Sequence, residues 1–367
     1  MFNIFDIIAL IIAGLHFGVP IIYYFYLKVR WLQRSWNIRM NLNYKPKVTI
    51  VIPTYNEARY IEKKLENIYQ QRYPKEKMKV IVVDSNSNDG TVDIVRKWSR
   101  KHNDLPIEVI QENKREGKLK AILKALPKAI IDSDLIILTD ADAFWDRDAI
   151  TNAVKYFADP QVGVVTASMR YLQKRHVEDK YRMFYNIVRI CESKIHSTPV
   201  HNGPFQMFRS NLLRRYFIPD FSGADDSSFG SYIAFTGYRA IQVDDVIVYE
   251  PLRHSTFRRK VRRAQHLIVN FMKTKKFAIR KGVYKKSIFD KIWKIEWYLN
   301  IINPWLLLTA TIMLIFNAVY NKSVASVLTL IFGGLFMFVD TFSVWITQQI
   351  YLIIALIKNL HSIPETW

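Results

Sequence analysis

Cysteine is all but missing from this chain. The single thiol, Cys191, excludes an intramolecular disulfide and leaves no set of thiolates for a zinc site. Acidic residues are missing from two long stretches. Residues 28–47 hold six basic residues and no acid, and residues 253–294 hold fifteen basic residues against Asp290 alone. These two stretches carry nearly all of the net charge of +21. So basic a chain can be a nucleic-acid binder. Here both basic blocks adjoin apolar segments and contain no recognition motif. Attraction to anionic lipid and the bias of positive charge toward the cytoplasmic side of a membrane explain them better. Internal repeats and low-complexity tracts are also missing, so the 367 residues read as one large domain with an appendage.

What is present is apolar residue, 50% of the chain, with the densest runs at its two ends. Residues 4–27 are interrupted by no ionisable group except Asp6 and His16, and are long enough to cross a bilayer. A cleaved signal peptide has a basic start and a shorter apolar core. Here the basic cluster follows the segment, as Lys28, Arg30, Arg34 and Arg39. That order predicts an uncleaved anchor whose N-terminus is outside and whose following domain is cytoplasmic. Asp6 then falls at the outer interface, and His16 reads as a helix-contacting residue. Near the other end, Arg258, Arg259, Lys260, Arg262 and Arg263 alternate with Val261, Leu267, Ile268, Phe271 and Met272 at helical spacing. This predicts an amphipathic helix on a membrane surface. Trp293, Trp297 and Tyr298 resemble an interfacial aromatic belt. Residues 298–319 predict a second span, with Pro304 in its first turns, and residues 324–346 a third, with Asp340 in its second half. The resulting division is a membrane helix over 1–30, an α/β domain over 46–252, basic interfacial helices over 253–297, two membrane helices over 298–346, and an interfacial segment over 347–367.

Between these ends, strands alternate with helices. Residues 47–52, 80–83, 107–110 and 135–138 are short apolar runs, and each stops in polar residues. That pattern predicts a mostly parallel sheet with helices on both faces, whose strand ends border one ligand crevice. The stretch 134–148, DLIILTDADAFWDRD, is the centre of it. Asp140 and Asp142 stand two apart where a strand stops, so both carboxylates can reach one ligand. Hard oxygen donors there suit Mg²⁺ or Mn²⁺ carrying a diphosphate, with solvated strand-capping acids as the alternative. Gly203, in His201–Arg209, either lets backbone approach a ligand or simply makes a turn. Asp225 and Asp226 open a helix that runs to Phe235, where the dipole favours acids, so an N-cap pair competes with a chemical role.

Several motifs then coincide in order. Pro53, Tyr55, Asn56 and Glu57 match P-x-Y-N-E. Asp84 opens Asp84-Ser85-Asn86-Ser87-Asn88-Asp89-Gly90-Thr91, with Ser85 where a second Asp stands in the motif. Gly117, Lys118, Ala121, Ala125 and Leu126 match G-K-x-x-A-x-x-x-A-L, and Asp140-Ala141-Asp142 matches D-x-D. Ala224-Asp225-Asp226, with Gly237-Tyr238 eleven residues on, matches T-E-D…G-Y, and Arg259–Arg263 lies on Q-x-x-R-W with Arg263 replacing the Trp. The set resembles the membrane-bound family 2 glycosyltransferases, inverting enzymes of GT-A fold, in their cellulose-synthase-like branch. The resemblance spans about residues 46–266.

The resemblance implies a Rossmann-like GT-A domain on the cytoplasmic side, carried by interfacial helices and three transmembrane helices. It implies Mn²⁺ (or Mg²⁺) as cofactor, with Asp142 as metal ligand. It assigns donor contacts to Pro53, Tyr55, Glu57, Asp84, Lys118, Asp140, Arg259 and Arg262, and the catalytic base to Asp226, with Asp225 and Gly203 nearby on the acceptor side. Arg263 in place of Trp speaks against processive synthesis. The expected reaction is inverting transfer of one sugar, or a few, from a nucleotide-diphospho-sugar, GDP-mannose favoured, to a lipid-linked acceptor such as dolichyl or polyprenyl phosphate or its glycan. The competing expectations are a processive polysaccharide synthase using a UDP-sugar and a non-catalytic nucleotide-sugar sensor. Nucleic acid is not an expected partner.

Overall fold

The computed structural model describes residues 3–171, 176–250 and 256–362. The predicted boundary between residues 252 and 253 lies outside the described residues. One mixed sheet organises the domain. Its parallel half is built from β1 (Val48–Thr54), β2 (Met78–Asp84), β3 (Ile107–Gln111) and β4 (Leu135–Leu138). The other half adds β5 (Phe144–Trp145), β6 (Val162–Tyr171), β7 (Gln206–Arg209) and β8 (Arg239–Glu250), in the order β3-β2-β1-β4-β7-β6-β8-β5. The strands β1, β2 and β4 are runs of Val, Ile and Leu buried on both faces, as strands of a covered parallel sheet are. Alternation splits β1 between two cores. Ile50 and Ile52 join the core beneath α2 (Ile61–Tyr69) and α3 (Thr91–Lys101), and Val51 joins the core beneath α4 (Lys118–Asp132). Pro53 costs the sheet nothing, because the β1–β4 ladder ends at Val51↔Leu138, two residues before it.

Register sets the crevice. Thr54 pairs with Asp84 and Asp84 with Gln111, so the carboxyl ends of β1, β2 and β3 finish level. β7 runs antiparallel to β4, and Leu138 pairs with Gln206. That reversal brings the loop before β7 to the edge where β4 ends. After α5 (Ala149–Val154), α6 (His176–Ile195) and α7 (Ser210–Tyr216), the helix α8 (Asp226–Phe235) begins at the same place. The strongly basic helix, α9 (Phe257–Arg280), lies against α8 and against the last of the described helices.

Among the described residues three helices are long and apolar enough to cross a membrane: α1 (Ile4–Trp31), the continuous Phe289–Tyr320, and α13 (Asp340–His361). Their outward faces, including Ile7, Ile8, Ile11, Ile22, Ile312 and Ile350, are exposed apolar surface, as a membrane-spanning helix would present. The second of them joins α10 (Phe289–Trp297) to α11 (Asn303–Tyr320) through a π-helical turn at Tyr298–Ile302, so residues 289–297 belong to a span-length helix and not to a separate interfacial one. The expected third span over 324–346 is broken. α12 (Val324–Phe336) is too short to cross alone, and its end follows the poor helix formers Gly333 and Gly334. Val339 is extended, and Asp340 opens α13 in the first turn, where the helix dipole favours an acid. Residues 347–361 therefore continue a candidate span instead of forming an interfacial tail.

Polar residues tie these helices together. Asp6, expected at an open interface, is buried. Asn317 Nδ2 donates to its Oδ1 at 2.6 Å, Ser326 Oγ at 2.6 Å, and Ser323 Oγ reaches both carboxylate oxygens at 2.9 Å. His16 accepts from Trp345 Nε1 at 3.1 Å, so its Nδ1 donates to Asn303 O at 2.9 Å, joining α1, α11 and α13. Asn317→Leu removes the amide donor and sets an alkyl group against the buried Asp6 carboxylate, which keeps only its bonds from Ser323, Ser326 and Asn3 N. Its thermal midpoint in detergent is expected to fall by several degrees with the secondary structure unchanged by circular dichroism.

Candidate functional site

The site begins with the turn after β4. Ala141 and Ala143 point into the core, and Asp140 and Asp142, which alternate with them, are partly exposed on the crevice side. Lys118 opens α4 directly after Gly117, whose φ of 92° only glycine adopts easily. Lys118 Nζ lies 2.5 Å from Asp140 Oδ1 and 3.9 Å from Asp226 Oδ1. One ammonium thus stands between a carboxylate on β4's turn and a carboxylate on α8. Burial pushes the Asp140 carboxyl up, but Lys118, by charge and hydrogen bond, outweighs it and holds Asp140 below the usual range, with Lys64 and Arg263 adding to the effect. Asp226 goes the other way. Burial raises it to about 6, Asp140 and Asp225 add to the rise, and the more distant Lys118 only opposes it.

The adjacent acids at α8 divide the work. Asp225 is the N-cap, accepting from Ser228 N at 3.1 Å. That leaves the Asp226 side chain facing the crevice, while its carbonyl accepts from Gln206 Nε2 at 2.8 Å. At Gly203 the space above the backbone is taken by Asp226. A Cβ at residue 203 would lie 1.9 Å from Asp226 Oδ2.

The end of β1 with Pro53, and the loop after it with Tyr55 and Glu57, are stapled to the loop after β2. Asn56 N donates to Ser87 Oγ, Glu57 N to Thr91 Oγ1 and Ala58 N to Asp89 Oδ2. Asp84, expected to meet a ligand, is buried beneath these loops, accepting from Thr54 Oγ1 at 3.1 Å, Ser87 N at 2.9 Å and Ser87 Oγ at 2.5 Å. Its carboxylate props the loop in this structure. Ser85, in the place of a second Asp, donates to the buried Glu112 at 2.6 Å.

Arg259 and Arg262 lie in the first turns of α9. Partial desolvation lowers Arg262 below its ordinary value, and the neighbouring charges of Arg263 and Arg115 lower it further. Arg115 lies 4.0 Å above the Tyr55 ring. So Arg115 and Arg263, not among the expected site residues, join the crevice. The position of Arg115 in a strand-end loop was the available signal for it. Lys64, also unexpected, is buried behind the β4 turn.

Among the described residues no cluster of three or more His, Cys, Asp or Glu makes a protein-only metal cage. Two partly exposed carboxylates on one turn, beside Lys118 and several arginines, fit instead a divalent ion held by one or two carboxylates plus substrate phosphates.

Residues 49–221 match the family model described as Glycosyl transferase family 2. Over 98% of its length the chain superposes on the mannosyltransferase PcManGT from Pyrobaculum calidifontis, solved in complex with GDP-Man and Mn²⁺; the match covers 99% of that chain at 40% identity, with a TM-score of 0.87. The chain is 23% identical, over 65% of its own length and 75% of the other, to dolichyl N-acetyl-alpha-D-glucosaminyl phosphate 3-beta-D-2,3-diacetamido-2,3-dideoxy-beta-D-glucuronosyltransferase of Methanococcus voltae. It is 27% identical over 50% of its length to poly(ribitol-phosphate) beta-N-acetylglucosaminyltransferase TarS of Staphylococcus aureus, of which it covers 31%.

Gly203→Ala tests the seat of Asp226. Displacing that carboxylate by an ångström or more is expected to lower turnover of a nucleotide-sugar donor by roughly a hundredfold. Initial rates of nucleotide release, set beside an unchanged circular dichroism spectrum, measure it.

Proposed function

The chain belongs to glycosyl transferase family 2, and on that premise we propose that it transfers mannose from GDP-mannose to a lipid-linked acceptor, with inversion, at the cytoplasmic face of a membrane. The observation that carries the chemistry is Lys118, bonded to Asp140 on one side and within reach of Asp226 on the other. The donor side and the proton-accepting side of a displacement are thereby adjacent. The donor assignment is supported by the end-to-end likeness to a mannosyltransferase solved with GDP-Man and Mn²⁺. A lipid-linked acceptor is supported by three helices of membrane-spanning length and by a relative named for a dolichyl-phosphate-linked substrate.

Asp142, with Asp140, would hold the divalent ion, which when bound supplies positive charge to the diphosphate. The chain's own cations do the same work from other directions. Lys118 exchanges part of its contact with Asp140 for phosphate oxygen, and Arg259 and Arg262 approach from α9, with Arg115 and Arg263 beside them. The stapled loop of Pro53, Tyr55 and Glu57 receives the nucleoside, and Asp84 keeps that loop rigid from below. Asp226 accepts the proton of an acceptor hydroxyl as its oxygen attacks the anomeric carbon. The nucleoside diphosphate leaves from the opposite face, and single displacement inverts the configuration.

Two outcomes are expected of the detergent-purified protein. GDP is released from GDP-mannose in the presence of Mn²⁺ and a lipid-linked acceptor, UDP-sugars are inert, and chelator or Asp142→Ala abolishes release. Turnover of a UDP-sugar in place of GDP-mannose, or release indifferent to chelator, overturns the proposal. The second outcome concerns pH. The base must be ionised, so the rate rises with pH through about 6 and falls about tenfold per unit below it. Asp226→Asn is expected to lose roughly a hundredfold or more in turnover and with it this dependence.

A further inference from the structure

α2 turns one apolar stripe to the core, Ile61, Leu65 and Ile68, and within that stripe stands Lys64. Its side chain is fully buried. Packing alone has no use for an ammonium at this position, where Leu or Met would complete the stripe, and burying one costs several kcal/mol unless its donors are taken up. Lys64 Nζ donates to Ala143 O at 2.6 Å and to Thr139 Oγ1 at 3.0 Å, and lies 3.8 Å from the centre of the Trp145 ring. The two acceptors are the residues on either side of Asp140-Ala141-Asp142. The network continues past the turn. Thr139 Oγ1 donates to Pro204 O at 2.7 Å, and Trp145 Nε1 donates to the same carbonyl at 3.0 Å. Pro204 follows Gly203, against which the Asp226 carboxylate is seated. The same helix also holds Trp145 by its backbone, through two 2.8 Å bonds with Asn67.

We propose that Lys64 is a positioning residue that clamps the 139–143 turn at both ends, aiming Asp140 and Asp142 into the crevice, and that through Thr139 and Pro204 it keeps this turn in register with the seat of Asp226. It touches neither donor nor acceptor and acts through the turn. The inference rests on the reading of that turn as the metal and diphosphate side of the site.

The test uses the full-length protein in detergent, with Lys64→Met and Thr139→Val. Mn²⁺ binding is followed by the electron paramagnetic resonance of free Mn²⁺, with and without GDP or UDP, and kcat and KM are measured beside it. Lys64→Met is expected to weaken Mn²⁺ binding in the presence of nucleotide about tenfold and to lower kcat at saturating donor and metal. Thr139→Val, which removes the bridge to Pro204 and leaves the Ala143 bond, shifts both the same way by less, and the double variant is no worse than Lys64→Met alone. Whatever positive charge the buried Lys64 carries, its loss by itself tightens Mn²⁺ beside two carboxylates or leaves it unchanged. Tighter or unchanged Mn²⁺ binding therefore overturns the proposal whatever kcat does, even with a lowered thermal midpoint. If Lys64→Met does not fold, Thr139→Val decides on the same readouts. Wild-type protein that binds no Mn²⁺ with either nucleotide refutes the proposed function. Wild-type binding matched by both variants refutes this inference alone.

Discussion

Carboxylates repel one another, and the crevice at the end of β4 gathers Asp140, Asp142 and Asp226 around a small number of cations. Lys118 makes that possible. It sits against Asp140 at 2.5 Å and stands off Asp226 at 3.9 Å, and the difference in distance becomes a difference in acidity. Asp140 is held ionised below the usual range, and Asp226, more buried than compensated, is lifted to about 6. Two chemically identical groups become a fixed anion and a titratable base candidate because one ammonium favours one of them. A glycine at 117, a four-residue strand and a helix start at 226 all serve to hold that one spacing.

The sheet topology supplies the positions. In the parallel half, every strand delivers its end to the same edge, which brings together the stapled loop after β1, the loops after β2 and β3, and the turn after β4. The antiparallel insertion of β7 next to β4 does for the second half of the domain what parallel connections do for the first. It returns the chain to the crevice at Gly203 and Pro204, and α8 then starts beside it. The core on that face is shared with α9, the Phe289–Tyr320 helix and α13, so two of the three long apolar helices and the crevice rest on one packed layer. Polar contacts at Asp6 and His16 fasten the apolar helices to one another where apolar packing alone would let them slide.

What was legible in the sequence was whatever local chemistry announces. Apolar runs that stop in polar residues marked β1 to β4, and Asp140 and Asp142 were visible as paired acids at such a stop. Asp225 and Asp226 as a helix opening marked α8. Less was legible where a residue's meaning depends on what faces it. Asp84 resembles a ligand-facing acid in its motif, yet it is turned inward by Thr54 and Ser87. Gly203 reads as a gap for a ligand, and the gap is filled from 23 positions downstream by Asp226. Asp225 and Asp226 compete for the cap in the sequence, and backbone geometry gives it to Asp225. Lys64 left a signal, a lysine inside an i, i+3, i+4, i+7 apolar stripe, but nothing local says that its acceptors lie some eighty residues away.

The membrane region shows the same boundary. Hydropathy located three long apolar segments, because transfer of apolar area to lipid is a sum over residues and needs no partner. It could not say that 324–346 breaks before Asp340, since that depends on a helix start and a glycine pair competing with a continuous apolar run. By itself the sequence determined the strands, the amphipathic helices, the basic blocks and the chemical types available to the crevice, all of which follow from properties of residues and their near neighbours. The tertiary structure alone decided which carboxylate is bonded and which is left to titrate, which glycine is filled, and which lysine is buried. Those outcomes depend on distances of a few ångströms between groups far apart in the chain, and electrostatic and hydrogen-bond energies change steeply over that range.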